Sequence, residues 1–253
     1  MAIRFVGDID FSKVHCTPME KGKVGQKLVK VYMNPLSTNT SNKICFQLAY
    51  DEDAPVETHF GLDTIKEEQA DKTRRGLVMR VPPGAAVDAL TALDEVLVKA
   101  GVDNSKEWFG KQLSEEQVRD KYKPIVSLSQ DGVHHLMKAK VKCAAHSYPT
   151  ALHKVLKDDT YTTCDEGILS NKGVRGVPVL SAVQLYFLGG GQQFGLSFQI
   201  DEFNIYHVEE RSAVKANLKR PLRPAAEEDD DGDGEPFGAK APKVTLEGAE
   251  TAM

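Results

Sequence analysis

The sequence predicts a mainly β protein: a small, closed or nearly closed β-barrel with an inserted helix and a disordered acidic C-terminal tail. Alternating apolar residues mark several short segments as strands, and one long segment has helical periodicity instead. The run from Glu227 to Glu235 contains no apolar residue, so nothing in it can be buried in a core. Many short strands interrupted by one helix are typical of a barrel with a helical insertion.

The first half of the chain predicts three strands. Lys27–Met33 and Lys43–Tyr50 alternate between the two faces of a strand, and Glu57–Leu62 has the composition of a shorter one. Asn34-Pro35 and the polar residues 37–42 predict the turn between the first two strands.

Two helices are predicted before residue 124. The long helix begins after Pro82-Pro83-Gly84 and is expected to end at Gly101. Its apolar residues recur at helical spacing: Val87, Leu90, Leu93, Val96, Leu97 and Ala100. A short helix follows, with Ser114 as the N-cap and Gln117 completing a capping box, and Pro124 ends it.

Strands return after Pro124. Ile125–Leu128 and His135–Cys143 predict a hairpin around Gln130-Asp131-Gly132, and Tyr161–Cys164 predicts a short strand. Val179–Leu188 is apolar on both faces, as expected of a covered central strand. Phe194–Val208 changes the parity of its apolar residues at Asp201-Glu202, which predicts a β-bulge. Small barrels of this kind include the OB-fold, which often binds nucleic acids.

The charge of the chain is divided between a nearly neutral body and an acidic end. The net charge is -5, yet residues 227–253 hold nine acids and two lysines, which leaves 30 basic and 28 acidic residues before them. A basic run precedes the tail: Arg211, Lys215, Lys219, Arg220 and Arg223. We predict a nucleic-acid-binding domain over residues 1–210 with its helical insertion near 84–123, a basic linker over 211–226 and an acidic tail over 227–253. The tail either competes with a polyanion for basic surface or only keeps the protein soluble.

Composition argues against several other classes of protein. No apolar stretch approaches the ~20 residues of a membrane span, and the N-terminus lacks a signal-peptide core, so an intracellular protein of nucleus or cytoplasm is expected. Four scattered cysteines predict free thiols and no cofactor is expected. A zinc site built from Cys143, His146, His153 and Cys164 stays open, although its second pair is badly spaced. Asp51, Glu52 and Asp53 are the weak basis of an enzymatic alternative, a metal-dependent nuclease.

A row of lysines predicts the binding site. Lys138, Lys140 and Lys142 alternate with small or apolar residues, so in a strand their side chains share one face. Their ammonium groups then recur about every 6.5–7 Å, close to the phosphate spacing of an extended nucleic acid strand. An exposed edge strand kept soluble by lysines is the alternative.

Aromatic and basic residues interleave near this row, as in proteins that bind single strands by base stacking and backbone attraction. The candidate stacking residues are Trp108, Tyr122 and Tyr148, and the candidate extensions of the positive groove are Lys111, Lys121 and Lys123. Alternatively, Trp108 and Tyr122 anchor the short helix to the barrel.

Four short motifs resemble the single-stranded-DNA-binding proteins of large nucleocytoplasmic DNA viruses, relatives of the replication binding protein of short-tailed coliphages. They are Trp108-Phe109-Gly110-Lys111, Tyr122-Lys123-Pro124, Leu136-x-Lys138-x-Lys140 and Phe187-x-Gly189-x-x-x-x-Phe194-Gly195-Leu196-Ser197. The resemblance spans roughly residues 27–208. It implies an OB-fold, homodimers, sequence-independent binding of single-stranded DNA in replication and recombination, and an acidic tail that contacts replication proteins.

We therefore expect a protein that binds single-stranded DNA in an infected host cell and is not an enzyme. The alternative from a different class is a viral structural or assembly β-protein that uses its exposed strands for protein contacts and has no nucleic-acid role.

Overall fold

The computed structural model of the chain describes residues 3–22, 25–33, 43–49, 54–63, 73–158 and 160–208. All of them belong to one unit of the chain, Met1–Glu210, and Arg211–Met253 forms the other. The basic linker, the acidic tail, the turn at residues 37–42 and the acids at 51–53 therefore lie outside the described residues.

The described part of the chain is mainly β. Its helices are α1 Ala85–Asp103, α2 Ser105–Phe109 and α3 Glu115–Lys121, and short 3-10 helices lie at Val6–Asp8, Phe11–Lys13 and Glu166–Ser170. Its strands are β1 Arg4–Phe5, β2 His15–Cys16, β3 Glu20–Lys21, β4 Lys27–Leu28, β5 Val31–Tyr32, β6 Cys45–Gln47, β7 Val56–Thr58, β8 Arg74–Val81, β9 Val126–Leu128, β10 His135–Lys142, β11 Ala151–Val155, β12 Tyr161–Thr163, β13 Arg175–Leu188 and β14 Gln193–His207.

Five strands close into a barrel, as the sequence predicts. β7 pairs with β8, β8 with β10, and β10 in parallel with β14; β14 pairs with β13, and β13 returns to β7. We number the barrel strands 1 to 5 along the chain, as β7, β8, β10, β13 and β14. Around the ring they follow the order 1-2-3-5-4, which is the strand order of the OB-fold barrel. Closure pairs the strand edges inside the ring, which an open sheet would leave exposed.

The two longest strands, β13 and β14, form the central hairpin, and the predicted bulge is confirmed. The register passes from Val179 opposite Glu202 to Leu180 opposite Ile200, so Asp201 has no partner on β13. The extra residue explains the parity change, because the buried side chains on either side of it, Ile200 and Phe203, are three residues apart. Beyond Asp201, β14 leaves β10 and pairs with β11.

The strands predicted in the first half of the chain are shorter in the structure. Lys27–Met33 is divided into β4 and β5, because Val29 between them forms an isolated bridge with Leu185 of β13. β4 then pairs with β3, and β5 pairs with β2. The strand predicted over Lys43–Tyr50 is β6, and the one predicted over Glu57–Leu62 is β7, which begins and ends earlier.

The long helix is confirmed, but its predicted end at Gly101 is wrong. α1 continues to Asp103, and Gly101 is buried within it. A Cβ at Gly101 would lie 2.8 Å from Val118 Cγ1 and 3.1 Å from Phe194 Cζ. The glycine is therefore explained by close packing against α3 and β14, where no side chain fits, and not by helix termination.

The short helix and the hairpin that follows agree with the sequence. Ser114 and Gln117 form the predicted capping box at the start of α3. β9 pairs antiparallel with β10, and Gly132 in the turn between them has a φ of 70°, which glycine adopts readily. The helix α2, which lies between the two predicted helices, was not predicted from the sequence.

Candidate nucleic-acid interface

The outward face of β8 and β10 carries the predicted row of lysines. Met137, Ala139 and Val141 of β10 are buried in the barrel, whereas Lys138 and Lys140 are exposed on the other side of the strand. β8 contributes the neighbouring residues: Arg80 lies opposite Leu136, Val78 opposite Lys138, Gly76 opposite Lys140 and Arg74 opposite Lys142. We call the outward side chains Arg74, Arg80, Lys138, Lys140 and Lys142 the cationic face.

Two lysines of the cationic face are paired with carboxylates, which corrects the expectation of three free ammonium groups. Lys138 Nζ lies 3.1 Å from Asp63 Oδ2, and both side chains of this pair are more than half exposed. Lys142 Nζ lies 2.9 Å from Asp201 Oδ1, and only 11% of the lysine side chain is exposed. Gln199 also donates to Asp201. Lys142 is thus fixed at the β14 bulge and is poorly placed to reach a phosphate.

Lys140 and Arg74 give the cationic face its surplus of positive charge. Neither forms an ion pair with any acid among the residues that the structure describes. The polar neighbour of Arg74 is His146, with 3.5 Å between Nη2 and Nε2. Because both cations are exposed, they keep most of their hydration and remain available to a polyanion.

Arg80 lies at the far end of the cationic face in a network with one acid and a second arginine. It donates to Glu57 at 2.6 Å and to His59 Nδ1 at 2.8 Å, and Arg175 donates to the other oxygen of Glu57 at 3.0 Å. Burial, together with the charges of Arg80 and His134, lowers the pKa of His59. His59 therefore stays neutral near pH 7 and accepts the hydrogen bond from Arg80, and two arginines share one carboxylate.

The structure does not place Trp108 and Tyr122 where a base can stack on them. Trp108 has no exposed surface, and its ring packs edge-on against Phe109, Phe187 and Phe194. Tyr122 is also buried, and its hydroxyl donates to Asp94 at 2.6 Å. Both aromatic residues hold the helical insertion against the barrel, which was the alternative interpretation of the sequence.

Tyr148 is the predicted stacking residue that remains accessible, with 78% of its surface exposed. It lies in the loop between β10 and β11, whose ends are joined by hydrogen bonds between Lys142 and Thr150. The backbone N–H of Tyr148 donates to His146 Nδ1, and His146 is also the neighbour of Arg74. Tyr148 therefore projects from a closed loop at the Arg74 end of the cationic face.

Lys111, Lys121 and Lys123 belong to the helical insertion. Lys111 and Lys123 are exposed and Lys121 is half-buried. The backbone N–H of Lys123 donates to the carbonyl of Phe194. Lys140 is paired with Gln199, five residues further along β14. Five strand residues span about 17 Å. The structure therefore places Lys123 beside the start of β14 and not in one row with Lys140.

Four exposed or half-exposed residues that are candidates for nucleic-acid contact were missed from the sequence. Arg74 and Arg80 could have been found, because the alternation of Leu77, Met79 and Val81 marks β8 as a strand and puts both arginines on the opposite face from these three residues. Tyr161 is 62% exposed beside His153, with 6.2 Å between the ring centroids. Phe60 is half-exposed, and Lys172 Nζ lies 5.6 Å from its ring centroid. No local pattern in the sequence distinguishes these two aromatic residues.

The open zinc question is answered only for the part of the chain that the structure describes. There, no group of three or more His, Cys, Asp or Glu side chains is arranged to hold a metal ion. His146 Nδ1 accepts from the Tyr148 backbone, and Cys143 is buried.

Among the described helices, none has both the length and the hydropathy to cross a membrane.

Comparison with known proteins gives one partial family match. The model of a family of unknown function (DUF5871) matches residues 64–165. No curated protein matches the chain.

Several solved structures of single-stranded-DNA-binding proteins resemble this chain at low sequence identity. The gp2.5 protein encoded by bacteriophage T7 has 9% identity and a TM-score of 0.46, over 74% of this chain and 100% of that protein. The protein of bacteriophage Enc34 in complex with single-stranded DNA has 8% identity and a TM-score of 0.37, over 77% of this chain and 97% of that protein. Its C-terminal truncation has 9% identity and a TM-score of 0.38. Likeness at this level does not by itself assign an activity to this chain.

Proposed function

We propose that this protein binds single-stranded DNA independently of sequence, through the cationic face of its barrel. The observation that carries the proposal is the placement of Lys140 and Arg74 on the outward side of the second and third barrel strands. In OB-folds this is the side that binds oligonucleotides. The motifs that resemble the binding proteins of large nucleocytoplasmic DNA viruses support the same function.

Lys140 and Arg74 make the first phosphate contacts in this proposal. They lie on adjacent strands, two residues apart in register, because Lys140 is opposite Gly76 and Arg74 is opposite Lys142. Diagonal neighbours on adjacent strands lie about 7–8 Å apart, which is near the distance between successive phosphates of an extended single strand. Neighbouring phosphates can therefore each meet one cation.

Tyr148 supplies the base contact. An exposed ring beside the Arg74 end of the cationic face lets a base stack while its phosphate stays near the guanidinium. Such stacking contributes about 1–3 kcal/mol per base and tolerates every base, because each base has a π-face. Contacts of these two kinds carry little sequence information.

The salt dependence of binding tests this function. Fluorescence anisotropy of a labelled oligo-dT is measured at several salt concentrations for the wild type, Lys140→Ala and Arg74→Ala. Each substitution removes one phosphate contact, so binding weakens and the slope of log K against log[salt] becomes shallower by about 0.7. Tyr148→Ala weakens binding by about 1–3 kcal/mol and leaves the slope unchanged.

Lys99→Ala is the matched control, because Lys99 is an exposed lysine on α1 and not on the cationic face. It is expected to leave affinity and slope near those of the wild type. Absence of oligo-dT binding by the wild type at low salt would overturn the proposed function. Equal losses in the Lys99 and Lys140 variants would show that net charge, and not the cationic face, drives binding.

The wider proposal is a role in DNA replication and recombination within an infected cell, as a homodimer whose acidic tail limits DNA binding and recruits replication proteins. The concentration of acids in residues 227–253 supports the role of the tail in limiting DNA binding. The resemblance to viral binding proteins supports the homodimer, the role in replication and recombination, and the recruitment of replication proteins. Gel filtration with and without oligonucleotide tests the dimer. A large stable assembly that does not respond to DNA would favour the structural alternative.

A further inference from the structure

We propose that the shallow depression over Gly76 is a phosphate subsite, and that the carboxylate of Asp63 occupies it until nucleic acid displaces it. The inference rests on the proposed function and assigns a competitor to the same cationic face. Its ligand is a phosphodiester oxyanion, and its cations are Lys138, now paired with Asp63, and the neighbouring Lys140.

Backbone contacts hold Asp63 across β8. Its N–H donates to the carbonyl of Gly76 at 2.9 Å. Arg75 Nε donates to the Asp63 carbonyl at 2.8 Å, and Arg75 Nη2 donates to the Leu62 carbonyl at 3.3 Å. These three hydrogen bonds fix the main chain at Asp63, and its carboxylate lies over the cationic face beside Lys138 Nζ.

Gly76 makes room for that carboxylate. A Cβ built on Gly76 would clash with Asp63 Oδ2 and lie 2.7 Å from Lys138 Cε. No side chain can therefore stand at this position without moving the ion pair. Lys140 lies directly opposite Gly76 on β10, and Lys138, two residues away on the same strand, extends its side chain over the glycine. An oxyanion placed there meets two ammonium groups.

The Asp63–Lys138 pair is weak enough to be exchanged. Its side chains are 52% and 63% exposed, and exposed pairs contribute little net stability because water competes for both ions. The Lys142–Asp201 pair differs, because its lysine is nearly buried and the same carboxylate also accepts from Gln199. A phosphodiester is therefore expected to displace Asp63 and not Asp201.

Asp63→Asn is the first test. Removing the competing charge frees Lys138, so affinity for oligo-dT should rise about two- to fivefold. The slope of log K against log[salt] should steepen by about 0.7, since the freed lysine now binds a phosphate and releases its counterions. Glu20→Gln is the matched control: Glu20 pairs with Lys30 at 3.2 Å, is 56% exposed, and belongs to the separate β3–β4 sheet. It changes the net charge equally and should change neither quantity.

Gly76→Ala locates the subsite. In a double-mutant cycle, the gain from Asp63→Asn should disappear in the Gly76→Ala background, because the added methyl group fills the depression. Thermal melting of each variant checks that the barrel is intact. An equal gain in both backgrounds would place the site elsewhere, and unchanged or weaker binding by Asp63→Asn would overturn the inference. Failure of the wild type to bind oligo-dT would instead remove the proposed function.

Discussion

At the scale of single residues, Asp94 of α1 is the buried acid among the residues that the structure describes. It is buried, accepts hydrogen bonds from the Tyr122 hydroxyl at 2.6 Å and from the Ile125 N–H at 3.1 Å, and so joins α1 to the segment after α3. Burial raises its pKa to about 6, although both hydrogen bonds oppose this rise. The folded protein therefore binds a proton at Asp94 more tightly than the unfolded chain does.

The sign of the resulting pH dependence follows from that raised pKa. Below about pH 4, the pKa of Asp94 in the unfolded chain, this carboxyl does not reduce the stability of the fold. As pH rises from there to about 6, its pKa in the folded protein, the carboxyl reduces stability progressively. A rise in the pKa of Asp94 from about 4 to about 6 corresponds to about 3 kcal/mol. The variant Asp94→Asn keeps an oxygen acceptor for Tyr122 and Ile125 but cannot ionise. Because the wild type loses this stability as pH rises and the variant does not, the free energy of unfolding of Asp94→Asn, measured in urea relative to the wild type, should increase by up to about 3 kcal/mol between pH 4 and pH 7. A difference that does not change with pH would contradict a raised pKa.

Trp108 provides a second residue-scale prediction. Because its indole is fully buried among phenylalanine rings, its emission should be blue-shifted and should not be quenched directly by a stacked base. Emission should move to longer wavelength only when the protein unfolds. Strong static quenching by oligo-dT in the folded protein would show that the indole is accessible.

At the scale of elements, the sequence correctly predicted the features that depend on residues close to one another in the chain. The capping box of α3, the β9–β10 hairpin and the β14 bulge all depend on residues close in sequence, and each was predicted. The predicted helix end at Gly101 was wrong because that glycine is required by close packing against Phe194, which lies 93 positions later in the chain. The division of Lys27–Met33 likewise depends on a distant partner, Leu185.

The candidate site shows the same limit. Alternation predicted that the lysines share one face, but not their carboxylate partners, since Asp63 is 75 residues from Lys138 and Asp201 is 59 residues from Lys142. Burial decided which aromatic residues are accessible, and Trp108 and Tyr148 cannot be distinguished in this respect by their flanking sequence alone.

Gly101→Ala tests the packing account of α1. Alanine has the higher helix propensity, which alone would stabilise an exposed helix position by about 1 kcal/mol. Overpacking against Val118 and Phe194 should instead reduce the free energy of unfolding by about 1–3 kcal/mol. Thr91→Ala, at an exposed position of the same helix, serves as the control and should be neutral or slightly stabilising. A stabilised Gly101→Ala variant would show that the neighbouring side chains move aside easily.

At the scale of the whole molecule, the chain combines a barrel whose cationic face holds a modest positive surplus with a C-terminal segment of opposite sign. The surplus is small because Asp63, Asp201 and Glu57 neutralise part of it. Modest affinity that weakens steeply with salt is the expected behaviour of such a surface.

Removal of residues 227–253 is the corresponding prediction. The truncated chain loses nine acids and two lysines, so oligo-dT binding should tighten at low salt and the difference should shrink as salt screens it. Anisotropy titrations of both chains at two salt concentrations measure this. Identical affinities at low salt would contradict competition by the tail and leave only a solubilising role.

The triple pairing of β14 has a consequence for how the protein comes apart. This strand bonds to β10, β11 and β13, and it changes from β10 to β11 at the Asp201 bulge. Detaching it would open the ring and also release the β11–β12 ribbon, so opening of the ring and loss of the ribbon are coupled through this one strand. Chemical denaturation followed by backbone circular dichroism and by the indole signal should therefore trace a single coincident sigmoid.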